Sequence, residues 1–258
     1  MGLDIYTGTL TRYYCRDWKN ISQQLSEEHG QKCVMLDRCG NEVKPIDNKD
    51  EIEQIHDVIC QWIENLAVCM DQSQDSPLWD EKRELDYYTD KPDWEAYRAL
   101  VMLCACNLLD YPLPEYIEIG WNVFDEPVVK KALSQEFPGS LLSNATIWLP
   151  IPKMISFVTT LPNGDEATFS TVEMLKYELE ELNQKLWKAD EATILSWRNE
   201  LYYNPVKPKK AGLILGYICN VHPKEKYRTE ELARCTYSML YQAVRFADKH
   251  QVPIILDY

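Results

Sequence analysis

Asp4 and Asp257 have the setting closest to chemistry. Each carboxylate lies in or beside a strongly apolar stretch, Leu3-Asp4-Ile5-Tyr6 in one case and Ile254-Ile255-Leu256-Asp257 in the other. A carboxylate taken out of water needs a partner or a raised pKa, which is the condition of many general acids. The competing reading is geometric, because alternate residues of a strand can simply face solvent. A second grouping runs from Asp71 to Glu95, where nine acidic residues stand against three basic ones with aromatic rings between them. Its members Asp71, Asp75, Trp79, Asp80, Glu81, Glu84, Asp86, Tyr87, Tyr88 and Asp90 could combine two properties. Carboxylates attract a basic partner at long range, and Trp and Tyr supply the rigid contact area of binding hot spots. The competing reading is a solvated loop whose rings fold back on the core.

Other candidates lack partners. His56 and Cys60 are spaced to share a helix face, but a metal site there needs two further ligands that the sequence does not show. Cys104 and Cys106 are too close in one apolar helix to hold a single ion, and both read as core. Cys219 with His222 has no third group to orient it as a nucleophile. His29 and His250 sit where helix ends favour a cation. Glycine-rich phosphate loops, a nucleophile elbow, H-E-x-x-H, C-x-x-C and the EF-hand loop do not occur. The sequence therefore assigns no catalytic set, no metal and no cofactor.

The elements that must position these residues read as α+β. Leu3 to Tyr14 reads as an opening strand, followed by a short helix capped by Asp17 and ended by Gly30, with Trp18, Ile21 and Leu25 on one face. A strand at Cys33 to Leu36 and a turn at Cys39-Gly40-Asn41 come next. Apolar residues from Ile52 to Met70 recur at helical spacing, so an amphipathic helix spans Asp50 to Met70. The acidic stretch holds Pro77 and Pro92 and reads as a surface excursion with a short strand near Leu85 to Tyr88. Asp93 then caps a nearly all-apolar helix.

Beyond the connector Tyr111 to Tyr116, the pattern predicts a strand at Ile117 to Val123 and a helix from Asp125 to Phe137. A meander follows, its strands at Ala145 to Pro150, Ile155 to Thr160 and Ala167 to Phe169, its turn at Pro162-Asn163-Gly164-Asp165. Ser170 and Glu173 form a capping box for a helix with Leu175, Leu179, Leu182 and Leu186, and a second helix from Asp190 folds back on it as a helical hairpin. Pro205 to Lys210 is a basic linker and a possible minor boundary near 204–211, within one domain over 1–258. The end comprises an apolar run Leu213 to Cys219, a helix Thr229 to His250 and a last strand at Pro253 to Tyr258. Both termini thus enter a mixed or antiparallel sheet packed against several amphipathic helices.

Charge and composition bound the partners. The 27 Lys and Arg against 41 Asp and Glu leave a net charge of -14, a field that repels nucleic-acid phosphates and anionic membranes and attracts a basic protein. Nine cysteines, an odd number, several of them on apolar helical faces, read as reduced core thiols. With no leader pattern at Met1 to Tyr6 and no apolar run of membrane length, the expectation is a cytoplasmic protein without membrane contact.

The stretches Met1-Gly2-Leu3-Asp4-Ile5-Tyr6, Gly8 to Tyr14 and Ile255-Leu256-Asp257-Tyr258 resemble the ends of a group of uncharacterised bacterial cytosolic proteins. Such small acidic proteins are similar to immunity proteins, which neutralise a toxin by occluding its active site. That resemblance, with the charge and the rings, implies a non-enzymatic inhibitor that captures a basic toxin or effector domain through the acidic aromatic stretch. Two alternatives stay open: an enzyme with a dispersed carboxylate site around Asp4 or Asp257, and an acidic mimic of nucleic acid.

Overall fold

A computed structural model describes residues 3–36, 41–70, 77–82, 84–117, 122–202 and 228–257. They form an α+β fold: a six-stranded mixed sheet covered on both faces by helices. The strands are β1 (Asp4–Thr7), β2 (Tyr88–Asp90), β3 (Ile147–Leu149), β4 (Phe157–Thr160), β5 (Glu166–Thr171) and β6 (Ile254–Asp257), in spatial order β2-β1-β6-β3-β5-β4. Every neighbouring pair is antiparallel except β3 with β5. Strands buried on both faces read as unbroken apolar runs, which is how Ile254-Ile255-Leu256 is written.

One face carries α4 (Trp94–Leu108), α5 (Pro127–Leu133), α6 (Val172–Leu182), α7 (Glu191–Tyr202) and α8 (Thr229–His250). The other carries α1 (Leu10–Tyr14), α2 (Ile21–Glu28) and α3 (Lys49–Cys69). Alternation along the strands divides the core accordingly. Ile5 and Leu256 enter the first layer, Tyr6 and Ile255 the second. In α4 nearly every side chain from Ala96 to Ala105 is buried against α8 and α5, as its apolar composition predicts. On α3 only one stripe, Ile52, Ile59, Ile63, Leu66 and Ala67, is buried, and the Trp62 indole ties the helix to the Thr160 carbonyl of β4 at 2.7 Å.

Several expected boundaries shift for local reasons. The opening strand stops at Thr7, because the Thr9 side chain accepts from the Arg12 amide and starts α1. Gly8 has no room for a Cβ, which would lie 2.5 Å from the Tyr6 hydroxyl. Asn20, not Asp17, caps α2, in a reciprocal box with Gln23. Residues 33–36 form no strand and contribute a single bridge, Leu36 to Glu42. The 145–171 region is a hairpin rather than a meander, since β3 lies parallel to β5 on its far side.

Thr171 caps α6 in place of Ser170, which sits in β5. A π-helical turn at Asn183–Trp187 then ends the leucine seam, leaving Leu186 exposed while Leu175, Leu179 and Leu182 are buried. That turn sends α7 onto α8 rather than back along α6. Val123 belongs to a 3-10 turn, and the rest of the strand expected before it falls mostly outside the described residues, as do Cys39, Gly40, the 204–211 linker and the run Leu213 to Cys219.

Candidate functional site

The acidic aromatic stretch is a smaller surface than its composition suggests. Asp71 and Asp75 lie outside the described residues. Trp79 and Glu81 are buried, and the Glu81 carboxylate accepts from the Trp79 indole, the Leu10 and Thr11 amides and the Thr11 hydroxyl. Those amides belong to the first turn of α1, where donors lack intrahelical partners, so Glu81 serves as a cap delivered from 70 residues away. Asp90 is buried on the other side of the sheet and accepts from the Tyr88 hydroxyl, the Lys91 amide and the Arg198 guanidinium at 2.6 and 3.1 Å. Tyr87 stacks on Tyr6, and its hydroxyl accepts from the Lys19 amide. Asp80, paired with Lys82, together with Glu84 and Asp86, is what faces solvent. Trp79, Glu81 and Asp90 thus lie in the interior rather than on the surface, because Glu81 answers the first turn of α1 and the Trp79 indole, and Asp90 answers Tyr88, Lys91 and Arg198.

Asp4 and Asp257 do not alternate away into solvent. They are direct cross-strand partners in the β1–β6 ladder, on the same face of the sheet as Tyr6. Like charges placed opposite one another destabilise a sheet unless they are answered. Lys91 answers Asp4 at 2.8 Å, with both side chains largely buried, and the Asn20 amide also donates to it. The Tyr13 hydroxyl bonds Asp257. Burial raises the Asp4 pKa above its ordinary value, Lys91 lowers it and Asp257 raises it, with a net upward shift. Burial and the two carboxylates also push the Tyr13 phenol upward, so its proton stays in place.

Asp257 opens into a groove of about 1000 Å³. Tyr13, Tyr14 and Trp18 form one wall, with Tyr13 and Trp18 stacked at 5.9 Å between ring centroids. Residues of the 30–45 connection form the other. The groove is mixed in charge, and two of its lysines are already paired, Lys19 with Glu27 at 2.7 Å and Lys32 with Glu42 at 3.3 Å. Asp257 brings a carboxylate to this groove beside the aromatic wall, while Arg16 and Lys44 line it as well and Asp4, its cross-strand neighbour, is turned to Lys91.

The remaining candidates are quiet. The Cys60 thiol lies 3.6 Å from the His56 ring, but burial and the carboxylates of Glu81, Asp57, Glu64 and Asp80 raise its pKa, the reverse of activation. Among the described residues no group of three His, Cys, Asp or Glu is placed to hold a metal. Cys104 and Cys106 have thiols raised by burial, and Cys219 and His222 lie outside the described residues. His29 and His250 end α2 and α8, where the dipole accounts for them. Sequence reasoning missed Lys91, Asn20 and Tyr13, which flank Asp4 and Asp257 only through the fold. The one available signal was Tyr13 lying in the same segment as Asp4. No helix among the described residues is long and apolar enough to cross a membrane. No family model, no curated protein and no solved structure matches the chain.

Proposed function

We propose that the protein is a non-enzymatic binding module that takes a cationic side chain of a basic protein partner into the groove lined by Asp257. In this reading it acts as an immunity-type inhibitor, capping the active site of a basic toxin or effector. The observation that carries it is the Asp257 carboxylate, cross-strand partner of Asp4, lining the groove together with Tyr13 and Trp18. A guanidinium there gains a charge-assisted bond from Asp257 and a stacking face from the rings. The net charge of -14 draws a basic partner in, and the exposed Asp80, Glu84 and Asp86 add to that steering. Titration with an arginine-rich peptide and its citrulline counterpart tests this. The arginine peptide should bind more tightly, and Asp257→Asn should weaken it about tenfold or more. If Asp257→Asn changes nothing while Asp80→Lys, Glu84→Lys and Asp86→Lys together abolish binding, the site belongs to the excursion instead.

A second reading is favoured by the upward shift of Asp4 beside Asp257. A carboxyl raised in pKa beside a second carboxylate can serve as the acid of a hydrolytic enzyme. It predicts a turnover with a bell-shaped pH profile that both Asp4→Asn and Asp257→Asn remove.

A further inference from the structure

A second cavity, of about 750 Å³, opens on the other helical layer between the end of α4, the 136–143 connection, residues 154–156 and α6. Four large apolar side chains at its mouth, Leu108, Phe137, Met154 and Tyr177, are exposed, and Phe137 retains 78% of its free surface. Single exposed apolar residues need no explanation, but four around one cavity do. The interior is apolar too, with Leu141, Leu142 and Leu182 buried around it and Met174 supplying a side chain that can adjust to an occupant.

Asn107, Ser143 and Ser156 also line the cavity, and its charged groups are Glu136, Glu178, Glu181 and Lys185. Glu178 reaches the cavity but its oxygens are spent on the Ser140 amide and hydroxyl, at 2.7 Å for the hydroxyl, and on the Leu141 amide. Gly139, at φ +89, leaves no room for a Cβ against Glu178, and so keeps the connection that carries Glu136 and Phe137 close to α6. At the mouth Glu181 is paired with Lys185 at 3.2 Å, and the exposed Glu136 lines the same cavity as Phe137 and Tyr177. With Glu181 offset by Lys185, an anionic head would still meet Glu136 in a molecule of net charge -14. A cationic head would meet Glu136 and the rings of Phe137 and Tyr177.

We infer that this cavity binds a cationic amphiphile, with its alkyl or aryl body among Leu141, Leu142 and Met174 and its amine at the mouth between Glu136 and the Phe137 and Tyr177 rings. The volume lies within the usual range of small-molecule sites. Decylamine and decanoate, both below their aggregation concentrations, are the probes for calorimetric and NMR titration. Decylamine should bind saturably at one site, about tenfold or more tighter than decanoate. Phe137→Ala should weaken the amine, Glu136→Lys should erase the preference between the two, and Met174→Trp should fill the cavity. Both Phe137 and Glu136 are exposed, so their variants leave the core intact. Because the two sites are on opposite helical layers, Asp257→Asn should leave decylamine binding unchanged. Equal affinity for the two probes, non-saturable uptake, or binding insensitive to all three cavity variants would overturn the inference, and loss in Asp257→Asn alone would assign the amine to the groove.

Discussion

Asp93 shows how one residue can carry both a structural role and a titration. Its carboxylate accepts from the Glu95 amide as the cap of α4, while burial, with Glu95 beside it, pushes its pKa up to about 7. The unfolded chain releases this proton near the ordinary value of 3.8. Between those two values the folded protein binds more protons than the unfolded one, so this residue's contribution to stability falls as the pH rises through that window. Asp93→Asn keeps the capping oxygen and removes the titration. It should flatten the decline by on the order of 1 kcal/mol, discounted for its partial exposure. Denaturant melts at a series of pH values from acid to neutral check this. An unchanged slope would mean that Asp93 is not protonated across the window. At this scale the sequence exposed Asp4 and Asp257 as unusual, because a carboxylate in an apolar run is visible in one dimension. What answers them was mostly not visible: Lys91 and Asn20 come from other segments, and only Tyr13 shares one with Asp4.

Among the elements, α1 is five residues long and cannot hold itself together by its own hydrogen bonds. It is kept by Glu81 on its first turn and by packing of Leu10 beneath α3. Glu81→Ala would leave two amides, a hydroxyl and the Trp79 indole without their acceptor, and should cost about 2 to 4 kcal/mol by urea denaturation. Glu81→Gln, which keeps one acceptor oxygen, should cost less. Asp86→Ala, on an exposed neighbour, should cost nearly nothing. Equal effects for Glu81 and Asp86 would contradict the buried cap. Long periodic elements were legible: α3, α4 and α8 lie within a residue or two of where their spacing put them, and the Asn163-Gly164 turn gave the β4–β5 hairpin. Short elements were not, because Thr9 and Asn20 caps, or a π turn after Leu182, are settled by contacts that periodicity does not encode.

For the whole molecule, β6 is the centre of the design. It pairs with β1 on one side and β3 on the other, its residues Ile254 to Leu256 are buried, and its last residue supplies half of the carboxylate pair. Truncation after Val252 should therefore abolish cooperative unfolding rather than trim an end, as judged by loss of a calorimetric transition. A truncated chain that melts cooperatively would place the core elsewhere. That both ends enter the sheet could be read from their apolar runs. That they lie side by side, bringing Asp4 opposite Asp257, could not, since strand order depends on pairings across the entire chain. The acidity that led to the 71–95 excursion is partly spent inside the fold on Glu81 and Asp90, and the attention it drew passes to the groove. The most direct test of that shift is NMR mapping of N-acetyl-arginine methylamide on the intact protein. The Trp18 indole and Tyr13 signals should move together and saturate, and Asp257→Asn should remove the response. Movement confined to Asp80, Glu84 and Asp86, with Trp18 and Tyr13 still, would contradict it.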